Sequence, residues 1–454
     1  MRRLTDGAVL VELPNEDALA LALALAKERP EGFLDAVPGA RTLLVMFEPG
    51  RFDLAVLSKP MPASARTVSR IVKLPAVYDG PDLPDLGPDA VRRHVDAEHV
   101  VAFLGFAPGF AYMTGGFDVP RLKTPRVRVP SGSLAVADGY TGVYPAETPG
   151  GWRLIGRVGA RMFDPDATPP ALLRPGDRVV FEPVDELPAR SIDSSARPKG
   201  MPILRVIAPG PFTTVQGAPR YGLASSGVPA GGAFDPAALA EMNALVGNPP
   251  LAAGLELTIS GPGLRALEDV RLAFMGRVET LRKGQQVKVG MMRERARGYV
   301  AVEGGLATEL VTRPLQAGDD LIRAEAETVS NAPLRRAQTA GSLLEIRAVP
   351  GPQLDHFREP LAFFRNEYTL SPQSDRRGLR LRGPALEVVE PDVEPEGTAL
   401  GAVQVPGDGL PIVLGPDRPV TGGYPKIATV LSADLPLLAQ ARPGARIRFR
   451  EVRP

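Results

Sequence analysis

The sequence predicts a mainly β protein with a small α+β module at its N-terminus, and three observations carry that prediction. One phrase occurs twice: Thr141-Gly-Val-Tyr-Pro-Ala-Glu-Thr-Pro-Gly-Gly-Trp152 is echoed by Thr421-Gly-Gly-Tyr-Pro-Lys-Ile-Ala428. Each copy leads to a second phrase, Arg174-Pro-Gly-Asp-Arg-Val-Val-Phe-Glu-Pro-Val184 and Arg442-Pro-Gly-Ala-Arg-Ile-Arg-Phe-Arg-Glu-Val452, with a weaker third copy at Arg313-Pro-Leu-Gln-Ala-Gly-Asp-Asp-Leu-Ile322. Beyond Val100, short β-like runs alternate with Gly and Pro turns. Repeated turn-then-strand punctuation means that one β-rich unit recurs two or three times, with composite sites between copies.

Taken in order, Ala8 to Leu13 reads as a buried strand. Glu16 to Arg29 reads as a helix capped by Asn15 and stopped by Pro30. Thr42 to Phe47 is a second strand, so residues 1–75 form a βαβ-containing module. Pro88 to His94 suits a short helix. The runs 100–103, 134–136, 154–155 and 178–182 are the strands of a sandwich or barrel over 76–187. Prolines and serines between Pro183 and Pro202 mark a linker, placed at 188–201. Residues 202–454 open with a strand at 203–208 and hold one clear helix, 236–246, with Asp235 as N-cap and Pro236 at the first helical position. The remainder divides into two barrel-like halves, about 202–350 and 351–454. The 48 glycines and 49 prolines are about a fifth of the 454 residues, below the ~25–30% of low-complexity chains, so they mark turns.

Composition narrows the chemistry. A balance of 53 basic and 52 acidic residues is too neutral for a nucleic-acid or membrane-surface partner. Zero cysteines exclude disulfides, thiolate nucleophiles and cysteine zinc sites. Three histidines (His94, His99, His356) argue against a histidine-rich metal site, and their positions favour exposed or capping roles. Acidic residues interrupt the stretch after Met1-Arg-Arg, and Ala18 to Ala26 falls far short of the ~20 apolar residues of a membrane helix. A cytoplasmic enzyme or subunit is the default.

Both halves resemble the allophanate hydrolase subunit 1 and subunit 2 families, also called the B and C subunits of bacterial 5-oxoprolinase. The first half does so through Phe103-Leu-Gly-Phe-Ala-Pro-Gly-Phe-Ala-Tyr112, Thr124-Pro-Arg-Val-Arg-Val-Pro-Ser-Gly-Ser133 and Thr141 to Gly156. The second does so through Gly227-Val-Pro-Ala-Gly-Gly-Ala-Phe-Asp235, Leu255-Glu-Leu-Thr258, Ser374-Asp-Arg-Arg-Gly-Leu-Arg-Leu381 and Asp417 to Ala428. The same modules resemble the carboxyltransferase part of urea carboxylase. The resemblance implies tandem cyclophilin-like β-barrels behind the α+β module. It also implies ATP-driven hydrolysis of 5-oxoproline to glutamate with a separate A-type subunit. No Walker-type phosphate loop occurs, so ATP is shared with or bound by that partner. Ala224-Ser-Ser-Gly227 lacks the lysine an amidase-signature nucleophile needs.

Within these motifs, Glu147 on a loop between two prolines suits a positioned base, with Arg126 and Asp235 as further catalytic candidates. Lys123, Arg126 and Pro130-Ser131-Gly132-Ser133 read as an anion cradle. Tyr144, Gly150, Gly151, Gln216, Arg220, Gln404, Asp417, Arg418 and Tyr424 are candidates for binding a small amide substrate or nucleotide. Plainer roles compete: a barrel turn for Glu147, core filling for Trp152, a helix cap for Asp235, and a structural ion pair for Asp417-Arg418. Two departures from the family pattern stand out. Val215-Gln-Gly-Ala-Pro-Arg220 lacks a carboxylate at Gly217, and a Gly-Ser-Arg-Ser-Thr loop is missing between Gly305 and Gly318. Two other readings therefore stay open: a biotin-dependent carboxyltransferase module with carrier and carboxylase partners, and a non-catalytic regulator of a kinase. A homo-oligomer is also open.

Overall fold

The computed structural model describes residues 1–58, 70–187, 198–325 and 343–453. Residues 188–197, most of the expected linker, lie outside them. In the N-terminal sheet, Thr42–Phe47 lies between Ala8–Glu12 and Phe33–Pro38 and runs antiparallel to both. The βαβ crossover is therefore a split one. Helix Asn15–Glu28 covers one face, burying Ala18, Leu21, Ala22 and Leu25 with Val9, Leu43 and Val45. Its start corrects the sequence reading. Pro14 takes the cap position, and Asn15 sits in the first turn, where its Nδ2 donates to Gly39 O at 2.7 Å. Arg29 ends the helix in the left-handed region, at φ 45°, just before Pro30.

Two closed barrels share one plan: seven strands between Ile71 and Pro183, and seven between Leu343 and Glu451. In each, the first strand runs parallel to the last, Ile71–Val77 beside Arg178–Pro183 and Leu343–Pro350 beside Arg446–Glu451. The phrases beginning at Arg174 and Arg442 are thus the turns and strands that close the cylinders. Two expected boundaries move for that reason. Ile71–Val77 belongs to the first barrel, not the α+β module, and Leu343–Pro350 belongs to the last barrel, not the middle unit.

Strand pairing also shifts the register of the other phrase. Ala76 pairs with Pro183 and Val158; Ala348 pairs with Glu451 and Val430. Positions 158 and 430 are therefore equivalent, 272 apart, whereas Thr141 and Thr421 are 280 apart. The structural counterpart of Gly422-Gly423-Tyr424 is Gly150-Gly151-Trp152.

Residues 202–325 form an open unit in which a four-stranded and a five-stranded sheet enclose Ile203, Leu255, Leu272 and Val300. Helix Pro236–Leu245 starts where its sequence says, with Asp235 Oδ1 accepting from Ala238 N at 3.1 Å. The short helix of the first barrel is Ala90–Asp96.

His94 and His99 overturn the exposed roles read for them: they are 1% and 2% exposed, with ring centroids 4.5 Å apart and Phe181 against both. Tyr78 Oη lies 2.9 Å from His94 Nδ1, and His99 reaches the carbonyls of Thr114 and His94. Burial, with His99 adding to it, pulls the His94 imidazole down to about 3. His356 is half-buried, its Nδ1 2.8 Å from Glu390 O.

The units interlock. Leu4, Leu10, Val37 and Leu44 of the module pack on Ala399, Ala402 and Val420 of the last barrel. Gly105 approaches that barrel so closely that a Cβ there would lie 1.9 Å from Thr421 Oγ1. Among the described residues no helix is long and apolar enough to cross a membrane.

Candidate functional site

Where the first barrel, the middle unit and the last barrel meet, they enclose a cleft of about 350 Å³. The first barrel supplies Phe106 and Glu147, the middle unit Arg220 and Thr312, and the last barrel Arg377 and Arg418. Neighbouring units hold the strap that carries Arg220. Asp35 of the N-terminal module accepts from Gly222 N at 2.7 Å and Ala224 N at 3.3 Å, and Gly109 N of the first barrel donates to Ser226 O. Arg220 Nη2 donates to Leu310 O at 3.0 Å. Gln216 lies 3.3 Å from Thr312 on the same wall. The shortened stretch between Gly305 and Gly318 therefore still walls a cavity, through Leu310, Val311, Thr312 and Pro314. At Gly217 a Cβ would come within 2.9 Å of Ala253, so close packing accounts for the missing carboxylate.

Behind the cleft is a buried ionic network. Arg376 binds Asp417 through two hydrogen bonds (2.7 and 3.0 Å), Glu256 at 2.7 Å and Gly232 O at 2.7 Å. Tyr299 Oη donates to Glu256 at 2.8 Å, and Arg297 stands 3.4 Å from the same carboxylate. Burial opposes charge on Arg376, yet Glu256 and Asp417 hold its guanidinium above the usual range. Burial likewise opposes ionisation of Glu256, and the two arginines keep it low. Asp417 is thus oriented by Arg376, a residue the sequence reading missed. Its neighbour Arg418 points elsewhere: Nε donates to Thr398 O at 2.8 Å and Nη2 faces Met46 Sδ at 3.5 Å. Burial draws this guanidinium down to about 10. Arg377 is exposed and, among the described residues, has no ion-pair partner.

The remaining candidates separate. Glu147 sits at the rim, paired with Arg128 at 2.6 Å and half-exposed. Arg126 lies outside the cleft, bound to Asp82 at 2.7 Å and to Trp152 O. The anion cradle does not form. Gly132 N donates to Tyr144 O and Ser133 N to Pro130 O, so the loop's donors are taken up internally, and Lys123 is exposed nearby. Ser131 Oγ donates to Pro145 O at 2.8 Å. Tyr144 is 1% exposed among Phe103, Phe110 and Trp152, and burial lifts its hydroxyl to about 12. Gly150 makes room for that ring: a Cβ would lie 2.3 Å from Tyr144 Oη. Gly151 O accepts from Leu122 N. Asp235 is 1% exposed, with one oxygen capping its helix and the other accepting from Gln440 at 2.7 Å. Gln404 is buried in the last barrel near Gly422, and Tyr424 is 38% exposed.

Glu147, Arg220, Asp417 and Arg418 are therefore brought together at the cleft; Gln216 supports its wall. Arg376, Arg377 and Glu256 complete it. Glu256 carries a sequence signal, a charge between two leucines in a strand whose first four residues are buried. Among the described residues no group of three or more acidic or histidine side chains is arranged for a metal.

Comparison with known proteins agrees with this architecture. The family model "Carboxyltransferase domain, subdomain C and D" matches residues 1–173, and "Carboxyltransferase domain, subdomain A and B" matches residues 226–451. The C subunit of 5-oxoprolinase from Escherichia coli is 34% identical over 284 residues, 54% of this chain and 90% of that protein. The B subunit of 5-oxoprolinase from Bacillus subtilis is 34% identical over 223 residues, 41% of this chain and 93% of that protein. The solved structure of a protein designated TTHA0988 superposes with a TM-score of 0.83 at 32% identity, over 98% of this chain and 99% of that one. The chain belongs to the carboxyltransferase-domain family that holds the B and C subunits of 5-oxoprolinase, with the counterparts of both joined in one polypeptide.

Proposed function

We propose that this chain is the fused B–C component of an ATP-dependent 5-oxoprolinase, opening the lactam of 5-oxoproline to glutamate with a separate A-type subunit. The carrying observation is the cleft itself, built jointly by the half that matches the B subunits and the half that matches the C subunits. Arg220, Arg376, Arg377 and Arg418 are on its lining, and Arg377, exposed and with no ion-pair partner among the described residues, is the cation placed to meet a carboxylate substrate. A lactam carbonyl is a poor electrophile, and phosphorylation of its oxygen creates a leaving group before water attacks. Cationic donors around the developing charge and a carboxylate base are what that step needs. In this reading Glu147 is the base and Arg377 the substrate clamp. The sequence holds no Walker-type phosphate loop, so ATP is assigned to the partner in this reading. The reaction takes place in the cytoplasm in this reading.

The name of both family models favours a second reading, a carboxyltransferase taking its carboxyl group from biotin on a partner protein. The persistence of a lined cleft argues for either enzyme over a purely regulatory pair. Reconstitution decides. The chain is mixed with an A-type subunit, 5-oxoproline and ATP, and glutamate is measured. Glutamate that requires every component supports the proposal. Its absence, with the same A-type partner active beside separate B and C subunits, rejects it.

A further inference from the structure

We propose that the cavity beside helix Pro236–Leu245 is a second ligand site, for a small monocarboxylate with an apolar tail, coupled to the cleft by the buried ionic network. The cavity measures about 450 Å³. Met242, Met275 and Met292 give it an apolar wall that can adapt to an alkyl chain. Its charged lining is three arginines, Arg293, Arg295 and Arg297, against Glu241 and Glu294. Arg295 is half-buried and, among the described residues, makes no hydrogen bond or ion pair. Arg297 is 5% exposed, its Cζ 4.5 Å from the Phe234 ring; its Nη1 donates to Ala439 O, but its Nε makes no hydrogen bond even to Glu256, 3.4 Å away. A guanidinium this deep with incomplete compensation favours an arriving anion. Glu241 and Glu294 on the lining penalise a second negative charge, which selects a monocarboxylate over a phosphate.

Coupling follows from shared partners. Arg297 and Tyr299 line this cavity, while Arg376 and Asp417 line the cleft. Glu256 touches both sets: Tyr299 at 2.8 Å, Arg297 at 3.4 Å and Arg376 at 2.7 Å. A carboxylate pairing with Arg297 competes with Glu256, which then turns wholly to Arg376 and loosens that arginine's hold on Asp417. The coupling is reciprocal, so a change at Asp417 must alter affinity in the far cavity.

The test is calorimetric titration of the full chain with hexanoate, using 1-hexanol as the uncharged probe. Hexanoate should bind saturably, and hexanol at least about tenfold more weakly. Arg295→Gln should weaken hexanoate about tenfold, and Met275→Glu, on an exposed turn, should weaken it as well. Asp417→Asn should tighten it roughly two- to fivefold, because Arg376, without its other carboxylate, draws Glu256 away from Arg297 and the shared network gains net positive charge. Circular dichroism melts identify the folded variants. No saturable hexanoate binding, equal binding of hexanol, or unchanged affinity in both folded cavity variants overturns the site. Unchanged affinity in Asp417→Asn overturns the coupling. None of these readouts depends on 5-oxoproline turnover.

Discussion

The two closed barrels carry the same node with different chemistry. In the first, Asp82 accepts from Leu154 N at 2.6 Å and binds Arg126 at 2.7 Å. In the last, Gln353 accepts from Lys426 N at 3.1 Å and donates to Glu396, which also meets the Lys426 ammonium at 2.6 Å. Leu154 and Lys426 are 272 apart, and Arg126 and Glu396 pair with the equivalent Gly150 and Gly422. Topology thus preserves the acceptor that ties the loop to its strand, while the ionic partners are rearranged. Environment decides what each arrangement is worth. The first node keeps the Arg126 side chain 27% exposed, whereas Lys426 is fully buried. The comparison also reassigns Arg126: it matches a structural residue in the sister barrel, not a catalytic one.

The largest expected effect lies in the dry node. Lys426→Ala should destabilise by about 3–5 kcal/mol, since it strands the Glu396 charge in the interior. Lys426→Met together with Glu396→Gln should recover most of that loss in urea melts. If the double variant is as unstable as the single, charge compensation is not what the node supplies.

The barrels should also part company in acid. With His94 held at about 3, the first barrel stays neutral there while its unfolded chain takes up a proton below the ordinary value of 6.5. Stability therefore falls as pH drops from about 6.5 towards 3, by about 5 kcal/mol at the limit. The chain's one tryptophan, Trp152, is in the first barrel and reports its unfolding directly. His94→Gln should flatten the acid limb of that fluorescence transition; an unchanged limb would place the acid sensitivity elsewhere.

A smaller loss, about 1–2 kcal/mol, is expected for Arg126→Ala, because solvent reaches that node and Asp82 keeps its bond to Leu154 N. A loss as large as that of Lys426→Ala would erase the contrast between the nodes. Smallest is Glu147→Gln: its partner Arg128 is 74% exposed, so thermal melts should shift by no more than about 1 kcal/mol. Any larger fall in turnover then belongs to function.

Much of this was readable from residues. Turn chemistry at Arg174-Pro-Gly and Arg442-Pro-Gly announced the closing strands, and Asp235-Pro236 announced its helix. Such signals are local, and local physics settles them. What failed depended on distant partners. The repeat of Thr-Gly-x-Tyr-Pro matched letters but not strands, because bulges and edge ribbons change how many residues intervene. His94 and His99 gave no local sign that aromatic neighbours would bury them. Arg376 and Arg377 sat in a motif already noted, yet only the junction of three units shows that one anchors Asp417 and the other faces the cleft.

The central claim is that both halves build one site, and the most direct measurement compares turnover of variants from each half in the reconstituted system. Glu147→Gln from the first half and Arg377→Gln from the second should each lower glutamate formation at least about tenfold. Arg157→Gln, which breaks the exposed pair with Asp79 away from the cleft, should leave it unchanged. Loss confined to one half, or equal loss in all three variants, would contradict a shared site.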